Sequence, residues 1–287
     1  MKKGLLFTNH FLASPHFDAL YAQLERAAER LNITLSRATG GDCVCPFDRH
    51  PAKDADFVLF WDKDIAAARR IVRHGIPVFN SPDAIRIADS KSETQEALLR
   101  AGVPTPRTLS APMTYGALGY TKTEFIKKAG EALGFPLVIK ECYGSFGEQV
   151  YLAGDLREAR SIVSSLGARP FLFQEMIAES FGTDVRVNVV GDRAVCAMRR
   201  TGKAGDFRSN IAGGGAGEAY TLTKEEAALA VRAACAVGAD FAGVDLLFGK
   251  DGPLVCEVNS NPHFTGTLRY TGVDLAVPIL EHILKNI

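Results

Sequence analysis

Short apolar runs alternate with stretches of helical periodicity over residues 1–80 of the chain. The runs at 3–8, 33–36, 57–61 and 78–80 predict strands, and apolar residues at helical spacing predict helices over 17–31 and 65–74. Strands that alternate with helices favour a small parallel sheet covered by helices. No Gly-x-Gly-x-x-Gly motif follows the first strand, so this unit lacks the dinucleotide-binding fingerprint.

The pattern changes after residues 102–106, where two prolines end a helix that begins near Lys91. Helices are predicted over 125–133, 156–166, 224–237 and 273–286. Strands are predicted over 136–142, 150–153, 171–176, 184–190, 194–199, 244–248 and 253–258. We therefore predict three units, with bounds at 1–90, 91–174 and 175–287.

Three oxygen-bearing side chains interrupt the last two predicted strands. Glu257 and Asn259 share one face because strand side chains alternate, and Asp245 joins them if a three-residue loop over 250–252 sets the register. Two carboxylates beside an amide oxygen suit Mg²⁺, which takes few protein oxygens and completes its shell with water and phosphate. The alternative is a hairpin whose polar face is solvated.

A lysine within an apolar strand precedes a glycine-containing loop. Lys140 lies in the run 136–142, and Gly144, Ser145, Phe146 and Gly147 follow before the next strand. Exposed backbone amides in such a loop suit closure over phosphates. The alternatives are an edge lysine that reaches solvent and an ordinary hairpin.

A second loop concentrates positive charge. Arg199, Arg200, Lys203 and Arg208 fall close together in a stretch that also contains glycines. Such a loop can clamp developing charge on a phosphoryl group, and the alternative is a solvated basic loop.

Composition narrows the classes of function that the chain can have. The 287 residues contain 33 Lys and Arg against 33 Asp and Glu, so no global field favours nucleic acid or an anionic membrane. No apolar stretch approaches the ~20 residues of a membrane span, and the amino-terminal run is too short for a signal peptide. We expect a cytoplasmic protein with reduced cysteines, in which Cys43 and Cys45 are structural and not zinc ligands.

The order of these features along the chain resembles the ATP-grasp carboxylate–amine ligases and, within them, the RimK-like branch. The features that carry the resemblance are Lys91, Lys140 with its glycine loop, Gln174-Glu175, Asp184-Val185-Arg186, Asp206-Phe207-Arg208-Ser209-Asn210, Asp245 and Glu257-Val258-Asn259. The resemblance covers residues 81–287. It implies an α/β fold, α+β overall, in which a small Rossmann-like domain precedes the ATP-grasp lobes.

The resemblance implies a role for each matching residue. Arg208, Arg200 and Lys203 are the expected catalytic residues, and Asp245, Glu257 and Asn259 are the expected ligands of Mg²⁺, with Mn²⁺ as a substitute. The expected ATP-binding residues are Lys91, Lys140, Gly144, Ser145, Phe146, Gly147, Gln174, Glu175, Asp184 and Asn210. The expected substrate contacts are Arg186, Asn261 and His263, with His263 either a base for the amine or a residue that shapes the pocket.

The chain departs from the branch at two places. Gln149 replaces a third glycine of the phosphate loop, and residues 260–264 replace the usual small residues beside the substrate. The implied activity is ATP-dependent amide formation through an acyl phosphate, on small-molecule or peptide carboxylates and amines that include glutamate as a candidate. Two alternatives stay open, a ligase or kinase of a small non-peptide metabolite and a non-catalytic nucleotide-binding regulator. The resemblance also implies a homo-oligomer, and the balanced charge and apolar pattern predict no nucleic-acid or membrane partner.

Overall fold

The amino-terminal unit is a parallel sheet with a separate core on each face. In this computed structural model, which describes residues 1–49, 52, 54–145, 147–211 and 214–287, the strand order is β2-β1-β3-β4. The strands are β1 (Lys2–Thr8), β2 (Ile33–Thr39), β3 (Phe57–Trp61) and β4 (Val78–Phe79). Helix α1 (Pro15–Arg30) follows β1, and α2 (Ile65–Arg73) follows β3. The predicted α/β arrangement of this unit is confirmed.

Side-chain alternation along β1 and β3 divides their residues between the two cores. Leu6 and Leu59 pack in one core with α1, whereas Phe7 and Phe60 pack in the other with α2. All five side chains of β3 are buried, as expected for a central strand of a parallel sheet that is covered on both faces.

A central antiparallel sheet, in the order β5-β8-β6-β7, follows two capped helices. The helices are α3 (Pro82–Asp89) and α4 (Lys91–Arg100), and Ser81 and Ser90 accept hydrogen bonds from their first-turn amides. The sheet contains β5 (Thr108–Ser110), β6 (Leu137–Glu141), β7 (Val150–Ala153) and β8 (Phe171–Glu175). Helices α5 (Glu124–Leu133) and α6 (Leu156–Ser165) pack against its apolar face.

A five-stranded antiparallel sheet, in the order β11-β10-β9-β12-β13, forms the last unit. A 3₁₀ turn (Ala178–Ser180) precedes the first strand of this sheet. The strands are β9 (Thr183–Val190), β10 (Arg193–Thr201), β11 (Ala216–Ala219), β12 (Phe241–Gly249) and β13 (Gly252–Asn259). Helix α7 (Lys224–Ala236), which begins with a capping box of Thr223 and Glu226, covers one face. The opposite face of the sheet is polar.

The pairing of β12 with β13 is set by a different loop from the one that was assumed from the sequence. Gly249 pairs with Gly252, so the loop has two residues and the predicted three-residue loop is wrong. A β-bulge at Cys256 then shifts the register by one, which places Asp245 opposite Glu257 as predicted. Val255 and Val258 both point into the core, and consecutive residues Cys256 and Glu257 both face the cavity described below.

The chain ends with two helices, α8 (Thr265–Thr271) and α9 (Ala276–Lys285). The single predicted helix over 273–286 therefore begins three residues later than expected, and α8, β5 and β11 were not predicted. Helix α9 packs against α1, and its Ile279 and Ile283 complete the core that contains Leu24. The last helix thus belongs to the core of the first unit. The predicted domain bounds remain a prediction.

Asn80 joins the first unit to the last. Its side chain is fully buried, donates to the carbonyl oxygens of Phe241 and Ser260 at 2.9 and 2.8 Å, and accepts from the amides of Asp240 and Phe241. One amide side chain therefore satisfies four backbone groups at the start of β12 and the end of β13.

The six cysteines, all of which lie within the described residues, form no disulfide bonds. Within the described residues, none of the helices combines the length and the apolar character needed to cross a membrane.

Candidate active site

A cavity of about 380 Å³ lies between the central sheet and the polar face of the last sheet, and its lining includes residues of the first unit. It brings together most of the residues singled out from the sequence: Lys91, Lys140, Gly144, Ser145, Gly147, Gln174, Glu175, Asp184, Arg186, Arg200, Arg208, Asn210, Asp245, Glu257, Asn259, Asn261 and His263. Lys203 is exposed on a turn outside the cavity, because its carbonyl closes a tight turn with the amide of Asp206. Phe146 lies outside the described residues.

Strand alternation on β9, β10 and β12 builds a buried network of opposite charges on the floor of the cavity. Arg186 contacts both carboxylate oxygens of Asp245, with Nη2 at 2.9 Å from Oδ2. Arg200 pairs with both oxygens of Asp184, with Nε at 2.7 Å from Oδ1, and also lies 3.0 Å from Asp245. Gly243 makes room for this network, since a Cβ there would lie 3.0 Å from Arg186 Cδ.

The pKa values of the two carboxylates in this network are shifted in opposite directions. Burial would raise the pKa of Asp245, but Arg186 and Arg200 outweigh burial and lower it below its usual value. Burial raises the pKa of Asp184, with Arg200 opposing and Asp245 reinforcing the change. Asp245 is therefore the permanently charged member, and its two arginines hold it ionised.

Glu257 and Asn259 present oxygens to the cavity from alternate positions of β13. Glu257 Oε1 lies 3.6 Å from Lys91 Nζ, and the Glu257 side chain is 30% exposed. Asn259 donates its amide N–H to the carbonyl of Gly243 at 3.4 Å, which turns its amide oxygen the other way.

These oxygens fit Mg²⁺, which prefers carboxylate and amide oxygens and few protein ligands. Asp245 fits less directly, because its oxygens are already engaged by two arginines. Among the described residues no group of three or more His, Cys, Asp and Glu side chains is arranged for a metal. The fit therefore rests on Glu257 and Asn259, with Asp245 available if an arginine gives way.

Lys140 is buried beside the β-bulge and donates from Nζ to Cys256 Sγ at 3.2 Å. Burial would lower the pKa of Lys140, but neighbouring Cys256, Glu257 and Asp245 outweigh burial and raise it. Burial also raises the pKa of the Cys256 thiol, against the opposing effect of Lys140. Lys140 is thus a protonated ammonium that faces the cavity.

The loop between β6 and β7 is held by the residue that departs from the family pattern. Gln149 Oε1 accepts a hydrogen bond from the backbone amide of Ser145 at 3.1 Å. Lys63, from the first unit, lies 3.4 Å from Ser145 Oγ and pairs with Asp89. Lys63 and Asp89 line the cavity and were not predicted. No motif marks Lys63, and Asp89 was interpreted only through its position before the helix that begins at Lys91.

The basic loop after β10 reaches across the cavity to the glycine loop. Arg208 Nη1 donates to the carbonyl of Gly147 at 3.0 Å, and its Nη2 pairs with Asp206 at 3.0 Å. Gly147 has a φ of +70°, and a Cβ there would lie 2.1 Å from Asn210 Nδ2. Only glycine therefore allows this close approach of the two loops.

The connection that follows β8 lines the far side of the cavity. Gln174 is buried and donates to Thr108 Oγ1 at 2.9 Å, whereas Glu175 Oε1 accepts from the amide of Arg107 at 2.6 Å. The predicted side chains Gln174 and Glu175 thus form hydrogen bonds that hold the end of β8 against β5 and the residue before it. Met176 and Ile177 follow them in the cavity lining.

His263 lies at the part of the cavity that the first unit contributes, stacked on His16. Its Nε2 lies 3.0 Å from the backbone oxygen of His16, and its Nδ1 lies 3.2 Å from Thr265 Oγ1. Burial lowers the pKa of His263 to about 4, against the opposing hydrogen bond to His16. The ring is therefore neutral at pH 7, and it suits a shaping role better than that of a base. Nearby, Asn261 donates to the carbonyl of Asp62 at 3.0 Å.

Comparison with known proteins relates this cavity to a family. The sequence profile of the RimK-like ATP-grasp domain matches residues 88–283. A probable alpha-L-glutamate ligase of Syntrophotalea carbinolica is 39% identical over 273 residues, which cover 94% of this chain and 85% of that protein. An uncharacterized MG012 homolog of Mycoplasma pneumoniae is 37% identical over 268 residues, 91% of each chain.

The fold likeness extends over the whole chain. The ATP-grasp ligase PsnB, solved in complex with a phosphomimetic variant of its minimal precursor, Mg and ADP, matches with a TM-score of 0.70 at 21% identity. The match covers 98% of this chain and 97% of that one. The likeness therefore includes the first unit as well as the two sheets around the cavity.

Proposed function

The chain belongs to the RimK-like ATP-grasp family, and we propose that it uses ATP and Mg²⁺ to join a carboxylate to an amine. In the proposed reaction the γ-phosphoryl group of ATP passes to a carboxylate oxygen, which gives an acyl phosphate and ADP. The amine then attacks the acyl carbon, the new C–N bond forms, and the C–O bond to phosphate breaks. The nitrogen loses a proton, and the products are an amide and inorganic phosphate.

The observation that carries the proposal is the charge arrangement across one cavity. Lys91 and Lys140 lie on one side, and the oxygens of Glu257 and Asn259 lie on β13 opposite them. A triphosphate with a divalent cation would satisfy this arrangement, because the phosphate oxygens would pair with the ammonium groups and the oxygens of Glu257 and Asn259 would hold the cation. A solvated hairpin would need neither the buried Lys140 nor the buried Asp245.

The proposed roles follow from where each residue lies. Lys91, Lys140 and Arg208 stabilise negative charge on the phosphoryl oxygens. The backbone of Met176 and Ile177, in the connection after β8, holds the adenine ring of ATP. Glu257 and Asn259 would hold Mg²⁺, with Asp245 as a further candidate, and the ion would supply charge neutralisation on the phosphates. The glycine loop and the Arg208 loop, which touch through Gly147, exclude water from the acyl phosphate.

L-Glutamate is the substrate that we propose first, since close relatives carry the name probable alpha-L-glutamate ligase. Arg186 and Asn261 lie beside the cavity where a substrate would meet the phosphates, and they are the proposed contacts for its polar groups. The reduced cysteines suit a cytoplasmic compartment, which we also propose. The expected homo-oligomer remains a prediction.

The test is ADP release by the purified protein with ATP, Mg²⁺ and a matrix of single amino acids and short peptides, beginning with L-glutamate. Mass spectrometry of active mixtures identifies the product, and Glu257→Ala and chelation of Mg²⁺ are the controls. We expect ADP together with a new amide, both abolished in the controls. ADP without an amide would support the kinase alternative, and tight ATP binding without turnover would support the regulatory alternative.

A further inference from the structure

Two histidines that are 247 residues apart in the sequence form a flat stack in the cavity wall. The ring centroids of His16 and His263 lie 3.5 Å apart, with 3° between the ring planes. The edge of Phe17 packs against His263 with the centroids at 5.4 Å. His16, Phe17 and His263 all line the cavity, so the stack presents an aromatic surface to whatever binds there.

The two rings differ in their capacity for further hydrogen bonds. The carbonyl oxygen of His16 can only accept, so Nε2 of His263 carries the proton and donates to it. Nδ1 of His263 then accepts from the hydroxyl of Thr265. A neutral imidazole has one donor and one acceptor, so His263 has neither left for a substrate.

His16 is held in place through other atoms and leaves its ring nitrogens open. Its backbone carbonyl bonds His263, its ring is fixed by stacking, and Ser14 caps the helix turn in which it lies. In the part of the chain that the structure describes, no hydrogen bond involves either ring nitrogen of His16. The side chain is exposed at the cavity mouth, so a bound molecule can reach it.

Strand geometry separates the glycine loop from the connection after β8, which is the proposed site of the nucleobase. Glu175 pairs with Leu137 at one end of β6, and the glycine loop leaves β6 after Glu141 at the other end. Four residue steps at about 3.3 Å separate these ends by about 13 Å. The first unit meets the glycine loop through Lys63 and Ser145, so it lies at the end of the cavity away from the connection after β8.

The order of the reacting groups along the cavity then identifies what reaches His16. The carboxylate substrate must touch the γ-phosphate, because that phosphate is transferred to it, and the amine approaches from beyond the carboxylate. We propose that His16 binds the amine substrate, with a ring nitrogen accepting a hydrogen bond from it; this inference rests on the proposed function. His263 is then a positioning residue that acts through His16.

Hydroxylamine separates binding of the amine from formation of the acyl phosphate. With ATP, Mg²⁺ and L-glutamate, hydroxylamine traps the acyl phosphate as a hydroxamate, and it is too small to need an amine site. Without hydroxylamine, a second L-glutamate must bind as the amine to give a dipeptide. The informative quantity is the ratio of dipeptide to hydroxamate in His16→Phe, which keeps the stack, and in His16→Ala.

We expect this ratio to fall about tenfold in both variants, because a lost hydrogen bond of about 1.4 kcal/mol changes binding by that factor. The KM for ATP should not change, and His16→Gln should restore part of the ratio. His10→Ala is the matched control, since His10 is an exposed histidine of the same unit that bonds Thr39 and does not line the cavity.

An unchanged ratio in His16→Phe and His16→Ala would overturn the proposal. Equal losses of hydroxamate and dipeptide would also overturn it, because they would assign His16 to the carboxylate or to ATP. Absence of hydroxamate with the wild-type protein, across every carboxylate of the substrate matrix, would instead refute the proposed function, and this inference would fall with it.

Discussion

The two ends of the cavity are built from different kinds of contact. The phosphate side consists of buried charges that neutralise one another, namely Asp184, Arg186, Arg200 and Asp245, with Lys140 beside them. The substrate side, where the first unit meets residues 260–264, consists of stacked imidazole rings and an amide side chain that binds a backbone carbonyl. Strand register fixes the first set, whereas contacts between distant segments fix the second.

This difference separates the chemistry from the choice of substrate. A change on β9, β10 or β12 disturbs a closed set of charges, in which each group compensates another. A change at His16 or Asn261 alters the cavity wall without leaving a buried charge unpaired. Substrate preference can therefore diverge within the fold while the ATP-binding half stays constant, and the following predictions test that separation.

The largest effect is expected for Arg200→Met, which leaves Asp184 unpaired and removes one partner of Asp245. Breaking a buried ion pair costs about 3–5 kcal/mol, so the midpoint of urea unfolding should fall sharply. Arg199→Met is the matched control, because Arg199 is the next residue on β10 and points to solvent. Equal midpoints for the two variants would show that the network does not support the fold.

Glu257→Gln should reduce amide formation by about 10²–10³-fold, because it removes one negative charge where the phosphates and Mg²⁺ meet. The fold should be retained, since the Glu257 side chain is 30% exposed. ADP release at saturating ATP measures the effect, with exposed Glu218→Gln on β11 as control. Activity within a few-fold of wild type would remove Glu257 from the metal site.

His263, on the substrate side, should make the stability of the fold depend on pH between 6.5 and 4. The pKa of His263 is lowered to about 4 in the folded chain and is about 6.5 when unfolded. Above pH 6.5 the His263 ring is neutral in both the folded and the unfolded chain, and its contribution to the free energy of unfolding is fully present. As the pH falls from 6.5 towards 4 the unfolded chain binds the proton first, so stability is lost.

Solvent around the partly exposed ring reduces this loss to about 1–2 kcal/mol. Urea unfolding at pH 7 and pH 4.5 measures it, and comparison with His263→Phe isolates the contribution of this ring. The variant should lose less stability than the wild type over the same interval. Identical losses would place the titrating group elsewhere.

The smallest effect is expected for Gln149→Ala, which removes the hydrogen bond to the Ser145 amide. A loop that is less well held should raise the KM for ATP about two- to fivefold, in line with one net hydrogen bond of about 0.5–1 kcal/mol. The KM for the amine should stay constant, as should both constants in exposed Glu148→Ala. A larger change for the amine than for ATP would break the separation between the two ends.

The sequence sufficed to predict the fold class, and most of the residues that it singled out line one cavity. Strand alternation determines which side chains share a face on β9, β12 and β13, whereas the family resemblance supplied the other expected site residues. Asp245, Glu257 and Asn259 do line one cavity, although the loop assumed for their register is wrong. The spacing of Val255 and Val258 breaks the two-residue period and is the signal that reveals the bulge.

Only some residues of the substrate side could be predicted from the sequence. Asn261 and His263 follow a recognisable motif, whereas His16 and Lys63 come from a unit that carries no local sign of a site. Their proximity depends on how the first unit docks, through the Asn80 side chain and α9. Lys203 was expected to be catalytic because it belongs to the basic stretch, but it lies on a turn outside the cavity. The composition of a loop does not determine its geometry.

The packing of α9 on α1 has a consequence for synthesis of the protein on the ribosome. The first sheet emerges early, but Ile279, Leu280 and Ile283, which cover its α1 side, are translated some 250 residues later. Until α9 emerges, the nascent chain carries an uncovered apolar face, the kind of surface that recruits chaperones. The first unit is therefore among the last parts of the fold to be completed, although it is translated before α9.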